Sequence, residues 1–317
     1  MDASAGARAE VTSGDAAVGD APRPLRSVGE LVRLAMAADV ARLIASDPIA
    51  RIGEDPEGVH QARVATRRLR SHLATFSPVL RHGASRQLSG ELRWLGRSLG
   101  HARDLDVLAA RFHRTVEAFD PMTREDGQVL LALMDAERAG AAQVLGSVMG
   151  SKRYAGLLSM LGSFVAAPRF RSSAGLPGEP FLIEAITARL DTLAATIAAL
   201  SSTPPDTQLH EVRILAKPAR YAAELGGPVL GDGCVRLARR LADLCDELGL
   251  LNDGARANLW LDEAGADPVR ALAVARIRAV EIDSMTDARG EWPRRWERVQ
   301  AAAAALGILE VDPPIPR

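Results

Sequence analysis

The sequence predicts an all-α protein built from a duplicated helical unit. Three observations carry that prediction. Alanine- and leucine-rich runs with a 3.6-residue period fill most of the chain, whereas period-two runs of β-branched residues are missing. Hydrophobic residues make up 47% of the 317 and aromatic residues only 4%, so small aliphatic side chains must build the core. A pattern running from Val59 to Arg70 returns about 150 residues later, from Leu209 to Arg220, in the same chemical order; repetition on that scale marks duplication of a supersecondary unit.

Taken in order, the first 26 residues lack an apolar run and are rich in Ala, Gly, Asp and Ser, which reads as a disordered tail rather than a signal. A first helix from Val28 to Ser46 ends before Asp47-Pro48. Asp55 and Pro56 then supply N-cap and N1 of the first motif helix, each suited to its place. That helix runs to Phe76, where Ser77-Pro78 interrupts the pattern. A third helix, Arg86 to Leu99, is expected to stop at Gly100 in a left-handed cap, with Asp104 capping a fourth. Asp120-Pro121 opens a fifth helix reaching Gly150, and Ser151 to Tyr154 lead into a sixth.

The segment 168–180, PRFRSSAGLPGEP, is dense in Pro, Gly and Ser, so residues 169–180 are read as a linker between helical repeats at 27–168 and 181–308. The second repeat is expected to follow the same plan. A helix at 181–200 precedes the motif helix 207–225, and a helix at 234–248 ends at Gly249. Further helices follow at 253–263, 268–286 and 291–306, then a C-terminal tail at 309–317. Gly100 and Gly249, like Asp104 and Asp253, stand at one common interval, so the repeat extends beyond the motif.

On a helix turning about 100° per residue, His60, Arg63, Arg67 and Arg70 share one stripe, and His210, Arg213, Lys217 and Arg220 fall at the same angles. The opposite face carries Ala62, Ala65, Leu69, Leu73 and Phe76 in the first copy, and Val212, Leu215, Ala219 and Ala223 in the second. Each copy is thus an amphipathic helix with a cationic wet face. Such a ladder, about 15 Å long and without a carboxylate, suits an extended polyanion. Arginine forks match phosphate oxygens, lysine adds a point charge, and a histidine of ordinary pKa becomes a stronger donor on protonation. A single basic stripe is more often a solvated face paired with neighbouring acids; two copies at identical spacing favour a site. Pro218 lacks the N–H that would bond Ile214, which predicts a kink in the second motif helix.

VHQARVATRRLR, its partner LHEVRILAKPARYAAEL and the Leu-Gly-x-x-(Arg/Asn)-Asp segments downstream of each resemble the CHAD domain family, the conserved-histidine α-helical domain, over residues 27 to 308. The resemblance implies two pseudo-symmetric helical bundles that bind inorganic polyphosphate. It also implies that His60, Arg63, Arg67, Arg70, His210, Arg213, Lys217 and Arg220 are the binders. The chain departs from the family pattern at Pro218, where a helix former is usual, and in residues 180–200, where the usual basic residues are nearly absent.

Other readings are weaker. Asp104, Asp106 and Asp253 with the two motif histidines would be the material of a metal-dependent phosphohydrolase, but no tight metal-ligand spacing accompanies them. N-capping accounts for Asp104 and Asp253, and an ion pair for Arg103 beside Asp104. With no nucleophile elbow and no phosphate-cradling glycine loop, no catalytic residue, metal or cofactor is expected. Nucleic acid ranks second among ligands, since only Tyr221 lies near a stripe to stack a base, and helix packing explains that residue better. Trp292 and Trp296 are read as packing down the last helix. His72, His82, His101 and His113 receive no role.

A net charge of -1 means that polyanion affinity must come from segregated charge. Cys234 and Cys245, about 16 Å apart on one helix, are too distant for a disulfide and read as reduced thiols. Apolar stretches fall short of a membrane span. The combined expectation is a cytoplasmic binding protein, with no membrane partner, recruited to polyphosphate granules or acting as a scaffold; its protein partners are not legible.

Overall fold

The structure, a computed structural model, describes residues 27–265 and 270–309. Among these, the chain forms nine α-helices: α1 (Val28–Ile52), α2 (Pro56–Thr75), α3 (His82–Glu117), α4 (Pro121–Met149), α5 (Lys152–Ala166), α6 (Gly178–Ala198), α7 (Asp206–Leu230), α8 (Asp232–Ala264) and α9 (Ala271–Ala304). Short 3₁₀ turns at Ser77–Val79 and Ser172–Gly175 complete it. The all-α prediction holds. The expected tail at 1–26 and most of that at 309–317 lie outside the described residues.

Local chemistry sets several ends as expected. Ser27 and Glu30 form a reciprocal capping box on α1, Asp55 accepts the Glu57 N–H at 2.8 Å to cap α2 with Pro56 inside it, and Ser151 caps α5. Other ends were expected too early. The first helix continues through Pro48 to Gly53, whose φ of 77° and N–H bond to the Ile49 carbonyl make the left-handed cap. Pro48 removes a donor from the Ile44 carbonyl, and Ile44 is half exposed, so water can replace it. The second motif helix, expected to end at 225, continues as α7 to Leu230, and the helices expected at 268–286 and 291–306 are one, α9; Pro218, with Ile214 half exposed, and Pro293 lie inside them.

The largest correction concerns Gly100 and Gly249. Neither ends a helix: α3 and α8 run through them, so Asp104 and Asp253 are mid-helix residues rather than caps. The reason lies in the apolar stripes. On α3, Leu88, Leu92, Leu95, Leu99 and Ala102 enter one core, and Leu108, Phe112 and Val116 continue in register into another. A helical glycine costs about 1 kcal/mol relative to alanine, and each buried leucine returns roughly 1.5–3 kcal/mol.

Three cores result. The first joins α1, α2, α5 and the facing parts of α3 and α4; the second joins α6 and α7 to parts of α8 and α9. The third is built by the far end of α3 and the near half of α4, with Ala257, Leu261 and Ala264 of α8 and Ala273, Val274 and Ile277 of α9. There Phe112 packs on Trp260 at 5.3 Å, and Arg111 pairs with the buried Glu281. The segment expected as a linker is tied to the first core, with Arg171 N–H bonded to the Val79 carbonyl and Val28 N–H to that of Leu176.

The start of α2 is held by contact with α1. A Cβ added at Gly58 would lie 2.6 Å from both the Ala50 backbone nitrogen and Ile49 Cγ2, so only glycine lets the two helices cross this closely. Gly58→Ala is therefore expected to cost about 1–3 kcal/mol by overpacking, read as a lower urea midpoint. Gly83→Ala, at an exposed helical position with nothing within 4 Å, should be neutral or stabilising. Equal midpoints for the two variants would show that the crossing is not tight.

Candidate functional site

Burial of one face of each motif helix decides where its cations point. Ala62, Ala65, Leu69, Leu73 and Phe76 are buried, as are Val212, Ala219 and Ala223, with Leu215 packed at the margin. At their centres, however, the stripes are not solvated faces. α2 packs beside α7, and Arg63, Arg67, Arg213 and Lys217 are all half-buried in the groove they share with α3 and α8.

These four cations lie in one another's field. Burial pushes Lys217 down to about 7, and the charges of Arg67, Arg213 and Arg63 push the same way. Arg67 is likewise lowered, first by burial and then by Arg63 and Arg213, with Tyr221 opposing. No Asp or Glu is among the causes for either residue. Cys245 beside them supplies no counter-charge, because burial raises its thiol to about 11. Desolvation and like charge both disfavour the ionised state, so the middle of the groove, at Arg67 and Lys217, holds positive potential that no carboxylate of the described residues compensates.

Histidines flank the group. Burial lowers His60, followed by Arg103 and, against Glu57, by Arg63 and Arg67. Burial also lowers exposed-side His210, followed by Arg213 and Lys217, with a hydrogen bond to Asn252 opposing and Arg256 adding to the fall. Both rings thus titrate below the ordinary histidine range, contrary to the expectation of an unperturbed pKa. Two arginines lie against the backbone of the neighbouring helices. Arg213 lies over Gly249, its Nη2 3.5 Å from where a Cβ would stand, and Arg63 Nη1 donates to the Gly100 carbonyl at 3.3 Å.

Asp104 has a different role from the one expected. It accepts a hydrogen bond from Arg63 at 2.8 Å and forms an ion pair with Arg256 at 2.6 Å, joining α2, α3 and α8, and its partner is not Arg103. Asp106 pairs with Arg138, and Asp253 accepts the Asn252 amide. Among the described residues no group of three or more His, Cys, Asp or Glu is placed to hold a metal ion. The outer rungs also diverge: Arg70 is exposed beside Arg93 and Arg97, whereas Arg220 Nε is bonded to Glu224 at 2.7 Å.

Sequence reasoning missed several contributors. Arg68, off the stripe, bonds both Asp39 and Glu224 and so ties α1, α2 and α7 together. His72, given no role, is buried at 2.8 Å from Asp39 in the same network. Arg103 and Arg256 approach only through tertiary packing. Arg93 and Arg97 carried a signal, a four-residue spacing on one predicted helix. Tyr221, Trp292 and Trp296 are buried packing residues, and Cys234 and Cys245 are free buried thiols, as expected.

Comparison with known proteins agrees with this architecture. The profile of the CHAD domain matches residues 34–262. Two Mycobacterium tuberculosis proteins, MT2285 of strain CDC 1551 and Rv2226 of strain H37Rv, are each 30% identical over 217 residues, 66% of this chain and 42% of theirs. The chain thus spans less than half the length of these relatives. PptA from Streptomyces chartreusis shares the fold, with a TM-score of 0.67 at 21% identity over 86% of this chain and 99% of PptA. The crystal structure of the CHAD domain from the plant Ricinus communis gives a TM-score of 0.67 at 25% identity, over 92% of this chain and 99% of that one. By its matched profile, its helices and its paired motifs, the chain belongs to the CHAD domain family.

Proposed function

We propose that this protein binds inorganic polyphosphate, a linear polyanion, in the groove between α2 and α7. The observation that carries the reading is the half-buried pair Arg67 and Lys217, held among Arg63 and Arg213 with no carboxylate contributing to the shift of either. An anionic chain would relieve that repulsion along its length, with guanidinium forks and the ammonium taking phosphate oxygens. His60 and His210 would add hydrogen bonds at the rims.

A binding role is favoured over phosphohydrolysis because both oxygens of Asp104 are engaged by arginines and Asp253 is held by Asn252. A polyphosphate over a nucleic acid is supported by the burial of Tyr221, which leaves no aromatic platform beside the central cations among the described residues. Recruitment to polyphosphate granules, or scaffolding on the polymer, would follow from such binding. Among the described residues no helix is long and apolar enough to cross a membrane.

Counterion release gives the first test. For a flexible polyanion, log K falls with log salt by about 0.7 per phosphate contact. Arg67→Ala with Lys217→Ala should abolish retention on immobilised polyphosphate at moderate salt and flatten the slope by about 1–2, while DNA competes poorly with the wild type. Arg294→Ala with Arg298→Ala removes equal charge elsewhere and should change little. Because the central pair is repelled rather than paired, its removal should leave the thermal midpoint level or higher. Intact retention, or a collapse in stability, would identify the stripes as structural.

Lys217 sets the second. Its folded pKa of about 7 lies below the ordinary lysine value, so the unfolded chain holds more protons between about pH 7 and 10 and the free protein gains stability as pH rises through that window. A bound polyanion favours the charged amine. Affinity should therefore rise as pH falls from about 8.5 to 6.5, by at most about tenfold per unit. The histidines, lowered below their usual range, add only at more acidic pH. Calorimetric titrations of Lys217→Arg should be flat across the window; an unchanged pH slope would assign the dependence elsewhere.

A further inference from the structure

The two ladders match through their central rungs and part company at the last. Arg70, Arg93 and Arg97 are all exposed, and Arg70 Nη1 lies 3.9 Å from the position of a Cβ on Gly96, which stands between the two α3 arginines. The guanidinium of Arg70 thus reaches the backbone of α3 at Gly96, within the field of Arg93 and Arg97. Besides burial, the field acting on it comes from Arg93 and Arg97, and no carboxylate of the described residues pairs with any of the three. Three exposed arginines, one from α2 and two from α3, thus share one patch.

The other half has no such arm. Arg220, the rung corresponding to Arg70, is bonded to Glu224, which also takes Arg68. In the register that matches Gly100 with Gly249, the counterparts of Arg93 and Arg97 on α8 are Ala242 and the exposed Asp246. Where α3 presents two arginines, α8 presents one small residue and one acid. From Arg93 to Asp104, at the rim of the central groove, is about 16 Å along α3.

The geometry points to a one-sided polyanion track: Arg70, Arg93 and Arg97 form a second anion subsite on α2 and α3, continuous with the central groove, while Glu224 and Asp246 close the opposite end. This inference rests on the proposed central site and adds a substrate class to it. Short oligophosphates fill the groove alone; long linear chains also engage the arm and leave the protein on the α3 side. Preference for long chains is thereby written into exposed arginines that do not touch the central cations.

The test is binding of sodium tripolyphosphate and of a long-chain polyphosphate, by titration of the full chain. Arg93→Ala with Arg97→Ala removes two contacts, so near physiological salt the long chain should bind about tenfold more weakly and its salt slope should fall by about 1.4. Tripolyphosphate affinity should stay within about twofold. Asp246→Arg gives α8 one missing cation and should tighten the long chain alone. Both sites of substitution are solvent-facing, so helix content serves as the check on folding. Equal losses for both ligands, or none for the long chain, overturn the arm. Arg67→Ala with Lys217→Ala, measured in parallel, separates the two ideas: loss of both ligands keeps the central site even if the arm fails, whereas retained binding removes the central site itself.

Discussion

Repulsion among half-buried cations is the constraint around which this molecule is arranged. Arg63, Arg67, Arg213 and Lys217 come from two helices far apart in sequence and share a groove, where desolvation and like charge both oppose ionisation of Arg67 and Lys217. Left to themselves, α2 and α7 would separate. The three cores prevent it: the first fixes α2 against α1 and α3, the second fixes α7 against α6 and α8, and the third joins α3 and α4 to α8 and α9 beyond the groove. Part of the energy of apolar burial is thus spent on holding charges that repel, as expected of a site prepared for a ligand of opposite sign.

The acids near the groove show how compensation is rationed. Asp104 neutralises one edge, gathering Arg63 and Arg256, and Asp39 and Glu224 hold Arg68 and Arg220 on the other side. None of them reaches Arg67 or Lys217. Carboxylates therefore fix the frame, using pairs that bridge helices, and leave the middle positive. His72, buried against Asp39, belongs to that frame, whereas His60 and His210 belong to the rim.

Glycine has a part in this that is easily misread. Gly96, Gly100 and Gly249 are mid-helix residues, and beside each the guanidinium of a motif arginine approaches the backbone. At Gly249 the Arg213 guanidinium packs at van der Waals distance from where a Cβ would stand. The same residue type that ends a helix by adopting positive φ can also continue one, and the local sequence does not distinguish the two uses. At Gly58 the close neighbour is instead the backbone of α1.

What the sequence by itself determined is what depends on neighbours within a few turns. The all-α class, the buried faces of α2 and α7, the caps at Ser27, Asp55 and Ser151, and the eight rungs follow from periodicity and capping chemistry, which act over three or four residues. Tertiary structure decided the rest. Continuity of α3 and α8 through Gly100 and Gly249 depended on apolar stripes finding two separate cores. Asp104 became a bridging counter-ion because Arg256 arrives from a helix about 150 residues away. Lys217 fell to about 7, Arg220 was neutralised and Arg70 left free according to which distant side chains were packed beside each. Charge is visible in a sequence, but burial and the sign of the nearest neighbour belong to the fold, and those two quantities decide what a charge does.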